Sequence, residues 1–227
     1  MRQGFVKVAA VTPDIRVADV EYNTKQICAA LDEAAQERAK IVVFPELCVT
    51  GYTCGDLFAQ DVLLQAAKTA IKKIAAYTEE KDMLAFVGTP LQVDGKLYNT
   101  AAAVNRGKII GFTTKTFLPN YGEFYEMRQF REGPEKAREI EFDGEMVPFG
   151  PKILFTAKQM EHLIVAAEIC EDVWSPVPPS IEAVREGATV IVNCSASDET
   201  IGKATYRESL IEGQSARLIA GYIYSNA

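Results

Sequence analysis

HLIVAAEICEDVW, residues 162–174, joins an apolar run of strand length to a cluster of reactive side chains. The apolar run ends at Cys170, and Glu171, Asp172 and the only tryptophan of the chain follow directly. Two carboxylates beside a cysteine are expected to raise the pKa of its thiol and weaken it as a nucleophile. If Cys170 is reactive, another part of the chain must therefore supply a base and a cation.

The same order of apolar run and polar end recurs along the chain and predicts the fold class. Strands are predicted over 4–11, 41–46, 83–90, 162–169, 188–197 and 220–227, and helices over 18–39, 58–78, 180–186 and 203–219. Residues 96–115 predict two strands joined at Asn105, and residues 117–150 predict polar loops, with a solvated loop and hairpin edge over 132–145. This alternation predicts an α/β fold with a mixed sheet covered by helices.

Composition excludes several classes of function. The chain has 227 residues, 48% hydrophobic and 24% charged, as expected for one soluble domain. Its net charge of −7 argues against nucleic acid or an anionic membrane as a partner, and no apolar run approaches the ~20 residues of a membrane span. Five cysteines without a CxxC pair and a single histidine argue against a metal site and favour reduced thiols in the cytoplasm.

Polar side chains that carry chemistry follow the ends of the predicted strands. They are Glu46, Lys115, Cys170, Ser195 and Ser197. In α/β sheets this edge is where ligands bind. Each residue alone is usually structural: a helix-terminal acid, a solvated lysine or a small core cysteine. Their coincidence at one edge favours a site.

A base for Cys170 has to come from another strand. His162 begins the same strand, and eight residues of extended chain place it ~26 Å away, which is beyond hydrogen-bonding reach. Glu46 and Lys115 have the required chemistry, because a buried carboxylate can accept the thiol proton and an ammonium can stabilise an oxyanion.

Three motifs around these residues resemble those of a known family. FPELCVTGY around Glu46, KTFLPNYGEFYE around Lys115 and EICEDVW around Cys170 are similar to the Glu–Lys–Cys motifs of the nitrilase, or carbon–nitrogen hydrolase, superfamily. TGYTCGDLF, LPNYGEFYE, CEDVW and NCSASDETIGKATYR resemble in particular the glutaminase domain of bacterial glutamine-dependent NAD synthetases. The resemblance runs from the first strand to the last residue.

This resemblance implies a four-layer α-β-β-α sandwich with mixed sheets and hydrolysis of the side-chain amide of glutamine. Glu46 would be the general base, Lys115 the cation on the oxyanion side and Cys170 the nucleophile. The backbone N–H of Glu171 would be a second oxyanion donor, and Glu123 matches an additional structural glutamate.

Substrate-binding residues are also implied. Tyr121, Ser197 and Lys203 fall where such domains hold glutamine, with Lys203 on the α-carboxylate and Glu171 on the α-ammonium. A surface lysine at the start of a helix is an equally good interpretation of Lys203.

Residues 1–227 are expected to form one glutamine amidohydrolase domain. SGGxDS, P-loop and GxGxxG motifs do not occur, and the apparent last strand predicts a fragment truncated at its C-terminus. The domain needs no cofactor, and its ammonia would pass to an absent synthetase domain that uses ATP and Mg. A homo-oligomer is expected. The alternatives are a free-standing amidase acting on another small amide and an inactive fragment with only a binding role.

Overall fold

The computed structural model describes residues 4–227. Their strands are β1 (Val8–Ala10), β2 (Ile41–Val43), β3 (Leu84–Val93), β4 (Lys96–Asn105), β5 (Lys108–Thr114), β6 (Arg138–Phe142), β7 (Glu145–Gly150), β8 (Leu154–Thr156), β9 (Ile164–Ile169), β10 (Val190–Ser195) and β11 (Gly221–Asn226). Their α-helices are α1 (Val20–Gln36), α2 (Asp61–Tyr77), α3 (Glu126–Gln129), α4 (Pro179–Arg185) and α5 (Lys203–Leu218). No helix within this described part is both long and apolar enough to cross a membrane.

The strands form two mixed sheets. The larger has the order β1-β2-β3-β4-β5-β7-β6, parallel from β1 to β3, antiparallel from β3 to β5, and parallel between β5 and β7. β6 and β7 close it as an antiparallel hairpin. The smaller has the order β11-β10-β9-β8, in which only β8 runs antiparallel to its neighbour.

Apolar side chains divide the molecule into layers. The buried faces of α1 and α2, including Ile27 and Ile71, pack on the outer face of the larger sheet. A second core lies between the sheets, where the rings of Phe86 and Phe155 meet edge to face at 5.4 Å. A third core around Ile191 lies under α4 and α5. The predicted four-layer α-β-β-α sandwich is therefore confirmed.

The prediction of loops over residues 117–150 is wrong in part. The segment contains α3, which the sequence does not predict, and the hairpin of β6 and β7, of which the sequence predicts only an edge over 132–145. Ile140 and Phe142 are buried between exposed neighbours, which is the alternation of an edge strand, but charged residues surround them and hide the pattern. Asp143 and Gly144 both have positive φ, as a tight hairpin turn requires.

Close approach of backbone segments fixes the edge at which the functional residues meet. The N–H of Glu46, just after β2, donates to the carbonyl of Ser195 at the end of β10 (3.2 Å), so the two sheets are joined there. Gly88 on β3 lies against the same turn. A Cβ at this position would come within 2.3 Å of Leu47 N and Pro45 O, so only glycine fits.

Candidate active site

A buried ammonium lies at the centre of the site. Lys115 follows β5, and its Nζ donates to Glu46 Oε1 at 2.7 Å and to Glu126 Oε1 at 2.5 Å. All three side chains are at most 4% exposed. Burial alone would lower the pKa of Lys115, but the two carboxylates outweigh it and hold that pKa well above its usual value. Lys115 is therefore a permanent cation in the site.

Glu46 is held by donors on both carboxylate oxygens. Asn99 Nδ2 donates to Oε1 at 2.6 Å, beside the bond from Lys115, and the N–H of Ala196 donates to Oε2 at 3.1 Å. Burial nevertheless raises the pKa of Glu46, against the effect of Lys115. A carboxylate that is fixed, dry and more basic than usual is suited to accept a proton.

The second carboxylate of the cluster is Glu126, and the expectation for Glu123 needs correction. Glu126 accepts hydrogen bonds from Lys115 and from the hydroxyl of Tyr52, at 2.7 Å. Glu123 is exposed. Both glutamates occur in YGEFYE, but only Glu126, which begins α3, is buried and bonded to Lys115.

Cys170 lies at the junction of β9 and a 3₁₀ helix, Cys170–Trp174. Its backbone has a φ of 43°, and its N–H donates to Asn193 Oδ1 at 3.0 Å. Burial raises the pKa of the thiol to about 12, and the Glu46 carboxylate adds to this, while Lys115 and the hydroxyl of Ser195 oppose it. The resting group is therefore a thiol that needs a base, and the structure brings Glu46 and Lys115 to it.

The acids that follow Cys170 do not act as the sequence suggests. Asp172 is fully buried: its Oδ1 accepts from the N–H groups of Thr116 and Phe117 at 3.0 and 2.8 Å, and its Oδ2 accepts from Ile169 N at 2.9 Å. It thereby links the segment after Lys115 to the segment before Cys170. Burial, with the Glu168 carboxylate, raises the pKa of Asp172 to about 8, against the N–H groups of Ile169 and Phe117.

Tyr121, Glu171 and Lys203 are partly exposed side chains that lie beside the buried cluster, and they define what is called its entrance below. The hydroxyl of Tyr121 donates to both carboxylate oxygens of Glu171 at 2.9 Å, and Tyr121 is 58% exposed. Lys203 forms an ion pair with Asp198, and its Nζ lies 5.4 Å from the centre of the Trp174 ring. Glu171 and Lys203 are near enough for Lys203 to lower the pKa of Glu171, although burial raises it overall.

The other two residues considered from the sequence, Ser197 and His162, lie at opposite ends of the smaller sheet. Ser197 is buried beyond β10, and its backbone exchanges hydrogen bonds with the Asn226 side chain at 2.7 and 3.1 Å. His162 is exposed at the opposite end of β9, where its carbonyl accepts from Thr189 Oγ1 at 2.7 Å. It lies far from the thiol, as its sequence position predicts.

The sequence did not identify Asn99, Glu126, Asp172 and Asn193 as parts of the site. Asn99 lies inside an alanine-rich strand, and Asn193 lies inside a valine-rich strand, where most of the neighbouring side chains are apolar. A buried amide must find partners, so an asparagine within an apolar strand is the signal that could have revealed both.

Known proteins are similar to this chain in sequence and in fold. The carbon–nitrogen hydrolase family matches residues 7–227. A glutamine-dependent NAD(+) synthetase of Mycobacterium leprae is 38% identical over 99% of this chain, and one of Aquifex aeolicus is 33% identical over 92%. The chain spans about a third (33%) of the length of each of these relatives.

Solved structures agree with these matches. A glutamine-dependent NAD(+) synthetase of Cytophaga hutchinsonii has a TM-score of 0.87 and 32% identity, covering 97% of this chain and 36% of its own. An amidase of Nesterenkonia sp. has a TM-score of 0.73 at 19% identity, with 100% of this chain and 77% of its own covered, and shows the shared fold. Sequence and structure together place this chain in the carbon–nitrogen hydrolase family.

Proposed function

We propose that this chain hydrolyses the side-chain amide of glutamine and is the glutaminase part of a glutamine-dependent NAD synthetase. The observation that carries the proposal is the buried Lys115 ammonium, bonded to Glu46 and Glu126 beside the thiol of Cys170. A dry cluster of this kind provides a base, a cation and a nucleophile at one point. The relatives named as glutamine-dependent NAD(+) synthetases support the choice of amide.

The proposed reaction begins with transfer of the thiol proton from Cys170 to Glu46. The thiolate then attacks the amide carbon, and the resulting oxyanion is stabilised by Lys115 Nζ and the backbone N–H of Glu171. Collapse of this intermediate breaks the C–N bond, Glu46 returns the proton to the leaving nitrogen, and ammonia departs. Glu46 then deprotonates a water that hydrolyses the glutamyl thioester to glutamate and the free thiol.

The charges at the entrance suit an α-amino acid. Glu171, oriented by Tyr121, would bind the α-ammonium. Lys203 would bind the α-carboxylate by exchanging Asp198 for the substrate, and Ser197 would contribute a polar contact beside them. A simple aliphatic amide would gain no binding energy from either charged group, which favours glutamine.

The larger context is part of the same proposal. Residues 1–227 would be one amidohydrolase domain that needs no cofactor, and a synthetase domain with ATP and Mg would use its ammonia to amidate nicotinic acid adenine dinucleotide. Location in the cytoplasm and assembly as a homo-oligomer stay predictions.

Ammonia release from a panel of amides tests the proposal in the full-length gene product. Glutamine, asparagine, propionamide and nicotinamide are compared, with Cys170→Ala as the control for background hydrolysis. We expect glutamine to have the highest kcat/KM by about 10²-fold, because propionamide and nicotinamide lack the α-charges and asparagine, which has them, is one methylene too short to place its amide at the same point. Preference for an aliphatic amide would assign a free-standing amidase instead, and no release from any amide would leave only a binding role.

A further inference from the structure

A chain of buried polar side chains lies behind Cys170, between the four-stranded sheet and the helices α4 and α5. Asn193 on β10, Tyr222 on β11 and Glu168 on β9 form it, and it ends at Ser180 on α4. These side chains lie on the face of the sheet opposite to the core between the sheets. We propose that Asn193 is a positioning residue that holds the backbone of Cys170, and that Tyr222 and Glu168 set its orientation. The inference rests on the proposed role of Cys170 as the nucleophile.

The backbone of Cys170 needs an anchor. Its φ of 43° lies in the left-handed region, which residues other than glycine seldom occupy without support from their surroundings. The N–H of Cys170 donates to Asn193 Oδ1 at 3.0 Å, across two paired strands. This bond fixes the peptide from which the thiol projects toward Glu46.

The amide of Asn193 can serve only in one of its two orientations. Tyr222 donates its single proton to Glu168 Oε1, so its oxygen is left to accept from Asn193 Nδ2, at 3.1 Å. That places Oδ1 toward the N–H of Cys170. A flipped amide would set two donors against each other at Cys170 and two acceptors against each other at Tyr222.

Glu168 fixes the direction of the whole chain. Burial raises the pKa of Glu168, but the Tyr222 hydroxyl and the N–H of Ser180, at 2.9 Å from Oε2, counteract this by stabilising the carboxylate. A carboxylate held between donors accepts from Tyr222. The proton of Tyr222 therefore points away from Asn193.

The hydrogen-bonded chain of Asn193, Tyr222 and Glu168, called the relay below, also determines which backbone amide faces the substrate. Ile169 N donates to Asp172 and Cys170 N donates to Asn193, so both are committed to side chains. Glu171 N comes next, within the first turn of the 3₁₀ helix, where N–H groups have no partner inside the helix. It is the amide left for an oxyanion. Release of Cys170 N from Asn193 would disturb this order.

The experiment compares Tyr222→Phe, Asn193→Ala and the double variant in the full-length gene product. Activity on glutamine is measured well below the melting temperature of each protein, and alkylation of Cys170 by iodoacetamide is measured without substrate. We expect Asn193→Ala to lower kcat about 10²-fold and Tyr222→Phe about 10-fold, with KM changed less than about twofold, since a misplaced nucleophile slows the chemical step. The rate of alkylation should fall in the same order.

The double variant provides the sharpest result. Because Tyr222 acts through Asn193, the double variant should lose no more than Asn193→Ala alone. Ser225→Ala is the matched control. It removes a buried hydroxyl on the same strand that donates to the Val11 carbonyl at 2.7 Å and takes no part in the relay. It should lower stability and leave kcat unchanged.

Three outcomes would overturn the inference. They are multiplication of the two single effects in the double variant, kcat within twofold of wild type for Tyr222→Phe, and an equal loss of kcat in Ser225→Ala. Tyr222→Phe keeps the test decisive if Asn193→Ala does not fold, because it removes one oxygen only. Failure of the wild type to hydrolyse glutamine would instead contradict the proposed function, and the alkylation rates would still test the relay.

Discussion

The two sheets contribute to the site in different ways. The seven-stranded sheet supplies charge: Lys115 and Glu46 follow two of its strands, and each is held in place by the other. The four-stranded sheet supplies Cys170, the proposed nucleophile, which is held by its backbone through an uncommon φ and an amide side chain. One half of the site depends on ion pairing and the other on conformation.

This difference predicts how each half responds to substitution. A buried charge whose partner is removed has no solvent to compensate it, so the charged half should lose function and stability together. In the conformational half, the bond from Cys170 N to Asn193 Oδ1 joins two neutral groups, so its loss costs less and mainly shifts atoms. Substitutions near Cys170 should therefore affect rate more than stability.

Cys170→Ala should have the largest effect on activity and a small effect on stability. Loss of the sulfur removes the bond-forming atom, so ammonia release should fall to background, while alanine keeps the backbone. Ammonia assays and urea unfolding of the same preparation measure the two effects. A glutamine-like electrophile should label Cys170 in the wild type by mass spectrometry, and preferential labelling of Cys48 or Cys54 would contradict the assignment.

Glu46→Gln should lower kcat by about 10² to 10⁴, because a positioned base is lost. In the wild type, burial raises the pKa of Glu46, so kcat/KM should rise with pH as this group ionises, from a point above the usual carboxyl range. That acidic limb should disappear in the variant. Glu126→Gln should also lose activity, and the exposed Glu123→Gln serves as the control. Near-normal turnover of Glu46→Gln would exclude it as the base.

Asp172→Asn tests the link between the two halves. Asparagine has the same shape but presents a donor to at least one of three N–H groups, so we expect a loss of about 1–3 kcal/mol in the free energy of unfolding and about 10-fold in kcat. Urea unfolding and glutamine kinetics give both numbers. A loss of stability with unchanged kcat would show that the link is structural only.

The pH dependence of unfolding separates Asp172 from its neighbours. Its pKa is raised from 3.8 to about 8 in the folded protein, so the folded state binds a proton more strongly than the unfolded state. Stability from this group is therefore full below pH 3.8 and declines as the pH rises toward 8. Asp172→Asn should flatten this part of the stability profile, and an unchanged slope would assign the proton to another group.

Tyr121→Phe should have the smallest effect. It removes the hydroxyl that orients Glu171 at the entrance, so KM for glutamine should rise about 3- to 10-fold, corresponding to one exposed hydrogen bond, with kcat unchanged. Steady-state kinetics provide the measurement. Tyr125→Phe, in the same segment and 65% exposed, is the matched control. An equal change in both variants would indicate a general effect of the segment.

Much of this arrangement is predictable from sequence because it depends on local order. Strand ends that carry Glu46, Lys115 and Cys170 are visible as apolar runs followed by a polar residue, and the alternation of elements predicts a mixed sheet covered by helices. The four-layer sandwich is implied by the resemblance to the nitrilase superfamily. The supporting residues are different. Glu123 and Glu126 have the same chemistry three positions apart in one loop, and only long-range packing determines which of them reaches Lys115.

The sequence also could not show which charges raise the pKa of Cys170. Adjacent acids suggest that the pKa of Cys170 is raised by Glu171 and Asp172, whereas the structure assigns the rise to burial and to Glu46, from the other sheet. Both nearby carboxylates have donors elsewhere. Sequence adjacency does not give distance once the chain turns into a 3₁₀ helix.

The absence of a side chain at Gly88 limits which substitutions the region around Glu46 can accept. Position 88 touches no substrate and carries no functional atom, yet a single methyl group there would overlap the turn that carries Glu46. The turn would have to move, and with it the carboxylate that pairs with Lys115. A position without any reactive side chain thus limits where Glu46 can lie, and a carbon added there would displace this carboxylate from a distance.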